Sequence, residues 1–151
     1  MAFSASRLLH LHDTPRRTAA AFALGVFFSF SPFIGLQIAL AMGLAFLLGL
    51  NRLAVFVGLN ANLPWIIAPW YAGTTFAAAA LMGLALPPDF RRDLGALFSL
   101  GVFSRDFWSH AGGLLRPLLI PFLVGPTVGA ALVGLAAYPA TYAMLNRRSP
   151  K

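Results

Sequence analysis

A chain of 151 residues is enough for one domain, yet 59% of this one is hydrophobic, only 10% is charged, and its mean hydropathy is +0.78. An ordinary soluble domain carries about 25% charged residues, so a protein of this size cannot hide so much apolar surface inside itself and lipid is expected as part of its solvent. The absence of cysteine excludes disulfides, thiolate metal sites and thiol catalysis.

The net charge of +7 does not point to nucleic acid, because the cations form no recognition face. Between Thr18 and Pro88 the only charge is Arg52, and Pro117–Asn146 carries none. Arg7, Arg16 and Arg17 precede the apolar runs, Arg91, Arg92, Arg105 and Arg116 lie between them, and Arg147, Arg148 and Lys151 follow. Such flanks suit the headgroup region of a membrane.

Residues 1–17 read as a basic arm that leads into a helix start, with Asp13 or Thr14 as N-cap and Pro15 in the first turn. His10, His12 and Asp13 have no further ligands placed to close a metal site. The run 18–50 follows. It is far longer than the apolar core of a signal peptide and is read as mature protein. As one helix it would reach about 50 Å against a hydrocarbon core of about 30 Å. Ser29-Phe30-Ser31-Pro32 breaks it. Pro32 removes a backbone donor and disturbs the carbonyl of Phe28, and Ser29 and Ser31 can bond the freed groups. The expectation is a half-helix Thr18–Phe30, a turn, and a longer helix Phe33–Leu50. Gly35, Ala39 and Gly43, and likewise Ala41, Ala45 and Gly49, recur at the four-residue spacing of close helix packing.

Arg52 reads as an interfacial anchor. The second run, 53–86, is interrupted by Asn60, Asn62 and Pro64, with Pro69 behind them. Buried asparagines must be hydrogen-bonded, and their amides are expected to bridge to Ser29 and Ser31. Trp65, Trp70 and Tyr71 read as an interfacial aromatic belt. The two breaks align as a repeat of about 32 residues, the pattern of a transporter-type site between repeats. Residues 87–116 turn amphipathic, an interfacial region of one or two short helices split near Ser104, with Asp89, Asp93 and Asp106 expected in solvated ion pairs. The last segment, 117–146, can span, with Gly125, Gly129 and Gly134 as a packing face.

The first two runs resemble a bacterial inner-membrane family, domain of unknown function 2062. The likeness lies in Pro15-Arg16-Arg17, in Ala23, Gly25, Phe27, Phe30, Pro32, Gly35 and Gln37 at their spacing, in Asn51-Arg52, and in the asparagine–proline break with Tyr71 and Gly83 behind it. Here Leu63 separates Asn62 from Pro64, where the family pattern has Asn and Pro adjacent. The resemblance implies architecture and location and carries no activity.

The expected fold is an all-α, polytopic membrane bundle with two proline-broken, re-entrant segments, an interfacial helical region and a C-terminal membrane helix, multi-pass in the bacterial inner membrane with a cytoplasmic N-terminus. The alternative of one crossing per broken run stays open, as does the side of the C-terminus. Nothing assembles a nucleophile, base, metal site or phosphate loop, so a non-enzyme without cofactor is expected. The candidate site is the meeting of the breaks: Ser29, Ser31, Pro32, Gln37, Asn60, Asn62 and Pro64. It would bind or translocate a lipid or small solute; alternatively the chain is a structural or accessory subunit. Its partners would be membrane lipids, a second copy or a membrane protein, and not nucleic acid.

Overall fold

The computed structural model describes residues 13–147, and their regular structure is entirely helical. The helices are α1 Pro15–Phe30, α2 Gln37–Leu47, α3 Arg52–Leu59, α4 Pro64–Leu81, α5 Phe90–Ser99, α6 Arg105–Leu115 and α7 Leu119–Arg147. His10 and His12 lie outside the described residues.

The N-cap of α1 is Thr14, whose hydroxyl accepts from the Arg17 amide at 3.4 Å, with Pro15 in the first turn. The helix stops at Phe30 because Pro32 forces the residue before it out of helical geometry, and Ser31 is extended at φ −76°, ψ 156°. The second arm starts later than expected. Residues 33–36 form a turn closed by the Leu36 amide on the Phe33 carbonyl at 3.0 Å, which leaves α2 shorter than α1. Past the end of α2, Gly49 takes φ +62°, the Leu50 amide bonds the Ala45 carbonyl at 2.8 Å and the Gly49 amide bonds that of Phe46 at 3.2 Å. The Arg17 guanidinium then donates to the Leu48 and Gly49 carbonyls at 3.2 and 2.6 Å, so the end of α2 returns to the start of α1. The first run folds back on itself.

Asn51 caps α3, its Oδ1 accepting from the Leu53 and Ala54 amides at 3.0 and 3.2 Å. Helix α3 lies against α1, where Gly25 and Gly58 let the backbones touch: a Cβ at Gly25 would meet the Val55 carbonyl, and one at Gly58 the Phe22 carbonyl. After α3 the chain bends by 76° into α4, which packs along α7 rather than back on α3. The second run is therefore an elbow, unlike the fold-back of the first.

Helix α7 runs antiparallel to both α4 and α1. Gly125 sits on the Thr74 carbonyl, Gly129 on the Trp70 ring and Gly134 on Phe27 and the Ala23 carbonyl, which makes the three glycines the expected packing face. Of the two small-residue stripes in the first run, Ala41 and Ala45 are fully buried, whereas nothing lies near Gly35 or Gly43. The amphipathic stretch forms two helices, with the Ser104 hydroxyl accepting from the Phe107 amide at 3.1 Å as N-cap of α6. Yet α6 does not separate from the final segment at Pro117. A 3₁₀ turn at Arg116–Leu118 joins it to α7, and Arg105–Arg147 is one 43-residue helical rod, the one continuous helix among the described residues long and apolar enough to cross a membrane. Asp89, Asp93 and Asp106 form no ion pair with any described residue; the pair observed is Arg17–Asp13 at 3.4 Å, one helical turn apart.

The interior is small, built on α1 with fully buried Ala19, Ala21, Ala41, Ala45, Val55 and Ala130. Large apolar side chains point outward instead, including Leu47, Trp65, Leu81, Phe98, Phe103 and Leu135.

Candidate functional site

The last carbonyls of a helix have no partner within it. At the end of α1 this shortage falls inside the fold, since Phe28, Ser29, Phe30, Ser31 and Pro32 are all buried. Four successive carbonyls are each met by a side chain. The Ser31 hydroxyl donates to Phe28 O at 2.9 Å. The Asn62 amide Nδ2 donates to Ser29 O at 3.0 Å, Trp70 Nε1 to Phe30 O at 2.9 Å, and the Tyr71 hydroxyl to Ser31 O at 2.6 Å. The Ser29 hydroxyl in turn accepts from the Asn62 backbone amide at 2.9 Å. Three of the four donors thus come from the second run, and the two breaks form one joint.

The geometry follows from the elbow. Pro64 opens α4, and six to seven residues on, the first turns of α4 bring Trp70 and Tyr71 beneath the frayed end of α1. The Trp70 ring packs edge-on to Phe30, centroids 4.8 Å apart, and the far atoms of its six-membered ring meet Gly129 of α7. Because Asn62 Nδ2 is fixed by a carbonyl, Oδ1 must point the other way, and this buried oxygen has no hydrogen-bond partner. Beside the joint is a cavity of about 100 Å³ lined by Ser29, Ile34, Gln37, Leu59, Asn62, Ile67 and Tyr71.

Of the residues singled out from sequence, Ser29, Ser31, Pro32 and Asn62 are in the joint and Gln37 lines the cavity. Asn60 is elsewhere: it is exposed and donates to the Phe56 carbonyl of its own helix at 2.7 Å. Pro64 is exposed at the first turn of α4. Trp70 and Tyr71 were expected in an aromatic belt and instead turn inward, while Trp65 is 72% exposed. Their signal was present in the chain: each carries one polar hydrogen that needs a partner when buried, and the break supplies carbonyls that need donors. Arg52 is exposed, with its guanidinium 5.3 Å from the centre of the Phe46 ring.

The fold and joint define an all-helical, strongly apolar protein organised around two interlocked helix breaks. The family described as "uncharacterized protein conserved in bacteria (DUF2062)" matches residues 1–151, and the chain belongs to it. No curated protein and no solved structure gives a match.

Proposed function

We propose that this protein is a non-enzymatic scaffold embedded in the bacterial inner membrane, which organises the lipid or a partner protein around it, with the two breaks serving as a lock between helices. The carrying observation is that every carbonyl from Phe28 to Ser31 already accepts from a protein side chain. No row of open acceptors is left for a substrate, and about 100 Å³ is well below the ~300 Å³ of an ordinary ligand pocket. The outward-facing Leu47, Leu81 and Leu135, at 78%, 90% and 71% exposure, support lipid as the surrounding solvent. In this reading α7 spans, α3 and α4 together make a second, bent crossing, and α1–α2 enters and leaves on one side. The broken end of α1, residues 28–32, is buried in protein, the condition under which irregular backbone is tolerated at membrane depth.

One observation favours a second reading. The unpartnered Asn62 Oδ1 beside the cavity suits a small, uncharged hydrogen-bond donor, so a narrow solute path remains the competing account. Single cysteines at Ser31 and Asn62, with Leu47→Cys as a lipid-facing control, distinguish the two in native membranes. A lock predicts that Ser31→Cys resists a water-soluble maleimide. Strong labelling at both breaks with a silent control would overturn the scaffold reading in favour of a hydrated path.

A further inference from the structure

The charged residues of the described chain collect at two ends of the fold. At one end Arg17 binds the Leu48 and Gly49 carbonyls and pairs with Asp13, and Asp13 and Arg52 line the same surface depression with Gly49 and Asn51. Helix α7 arrives at this end too. Its antiparallel register on α1, with Ala130 on Val26 and Phe30 and Gly134 on Ala23 and Phe27, carries Arg147 to the Arg17 end when followed for three more turns. At the other end Ala79, Phe90 and Leu118 pack together, which places α5, the 3₁₀ turn and their charges Asp89, Arg91, Arg92, Asp93 and Arg116 beyond the end of α4.

We infer that the end formed by Arg16, Arg17, Arg52 and Arg147 is a surface for anionic phospholipid headgroups of the cytoplasmic leaflet, with α5 and α6 on the opposite side of the membrane. The inference rests on the membrane reading above and adds a partner and an orientation to it. Three observations carry it. The 29 residues of α7 measure about 43 Å, which matches the ~40–45 Å of a bilayer with its headgroups, and charge is absent between Arg116 and Arg147. Among the described residues the cations are matched, with Arg16, Arg17, Arg52 and Arg147 at the first end and Arg91, Arg92, Arg105 and Arg116 at the second. The acids are not, with Asp13 alone at the first end and Asp89, Asp93 and Asp106 at the second, so the first end is the more positive. The elbow in the second run is what makes this possible: if both broken runs folded back, a single crossing by α7 would leave Arg147 on the side with fewer cations.

Two arms test it. Ser109→Cys on α6 and Asn146→Cys on α7, both exposed positions, are treated in intact cells with a membrane-impermeant maleimide. Labelling of Ser109→Cys in intact cells, and of Asn146→Cys only after permeabilisation, is expected; the reverse pattern, or equal labelling of both, overturns the orientation. Purified protein in neutral detergent is then heated with added phosphatidylglycerol or phosphatidylcholine. The rise in melting temperature should be specific to phosphatidylglycerol and at least halved in the Arg52→Gln/Arg147→Gln variant, yet unchanged in Arg91→Gln/Arg92→Gln. An unchanged rise in the first variant, or an equal loss in the second, removes the headgroup surface. Release of the chain by carbonate extraction would instead bring down the membrane reading beneath it.

Discussion

Replacing Gly58 by alanine should separate α3 from α1, and the size of the effect can be worked from the contacts. A Cβ there would lie 2.9 Å from the Val26 amide nitrogen and 3.0 Å from Gly25 Cα, besides meeting the Phe22 carbonyl. All three are backbone atoms and cannot rotate aside. Ordinary contact needs about half an ångström more at the first two and about an ångström at the carbonyl, so the helices must part, which loosens the packing of Val55 and Leu59 and strains the Asn62–Ser29 bonds at the end of α3. Overpacking of this kind costs about 1–3 kcal/mol, and the contacts to immovable backbone put Gly58→Ala at the upper end. The change also brings back about 1 kcal/mol of helix propensity, which leaves a net loss of about 2 kcal/mol. For a chain of this size that is a melting-temperature drop of roughly 4–8 °C. Gly43 is the internal control: it lies in α2 with nothing near its would-be Cβ, so Gly43→Ala gains propensity without penalty. The assay is thermal unfolding of both variants in one detergent, followed by tryptophan fluorescence. Equal melting temperatures for Gly58→Ala and Gly43→Ala would refute the close crossing.

Trp70→Phe removes both the donor to Phe30 O and the far ring atoms that pack on Gly129, and should cost about 3 kcal/mol by thermal melting because the carbonyl stays buried and a gap opens beside α7. Tyr71→Phe likewise removes the donor to Ser31 O, and the double variant should depart from additivity because both carbonyls belong to one frayed helix end. Asn60→Ala is the contrast from the same break: its one bond is exposed and within its own helix, so a change within about 0.5 kcal/mol is expected. Gly49→Ala forces a Cβ into φ +62° and should lose about 1–2 kcal/mol, seen as earlier melting and faster proteolysis at the turn between α2 and α3.

Much of the design was legible in the chain. The stop at Phe30 follows from Pro32, whose steric demand on Ser31 is local and therefore readable. The meeting of Asn62 with Ser29 was readable as a need, since buried amides require partners, though not as a geometry. Sequence alone misplaces Trp70 and Tyr71 because an aromatic with one polar atom suits a membrane interface and a buried carbonyl equally well; only the 76° elbow decides between them. The same elbow hid the orientation of α4, as a proline break reveals that a helix ends but not where the next one points. Gly25 and Gly58 were silent for a different reason: they come from separate runs, and no periodicity within either run shows that two glycines face each other across an interface.

The claim that both breaks form one joint is tested most directly by crosslinking Ser29→Cys to Asn62→Cys. The native chain has no cysteine, and the two positions are joined by the Ser29 hydroxyl–Asn62 amide bond at 2.9 Å. After mild oxidation in native membranes, free thiols are counted by the gel shift of a bulky maleimide added in denaturant. If the breaks meet, both thiols are lost together and return on reduction, while a Ser29→Cys/Leu47→Cys pair keeps both tags. Two tags on the oxidised Ser29→Cys/Asn62→Cys protein would mean that the breaks do not meet.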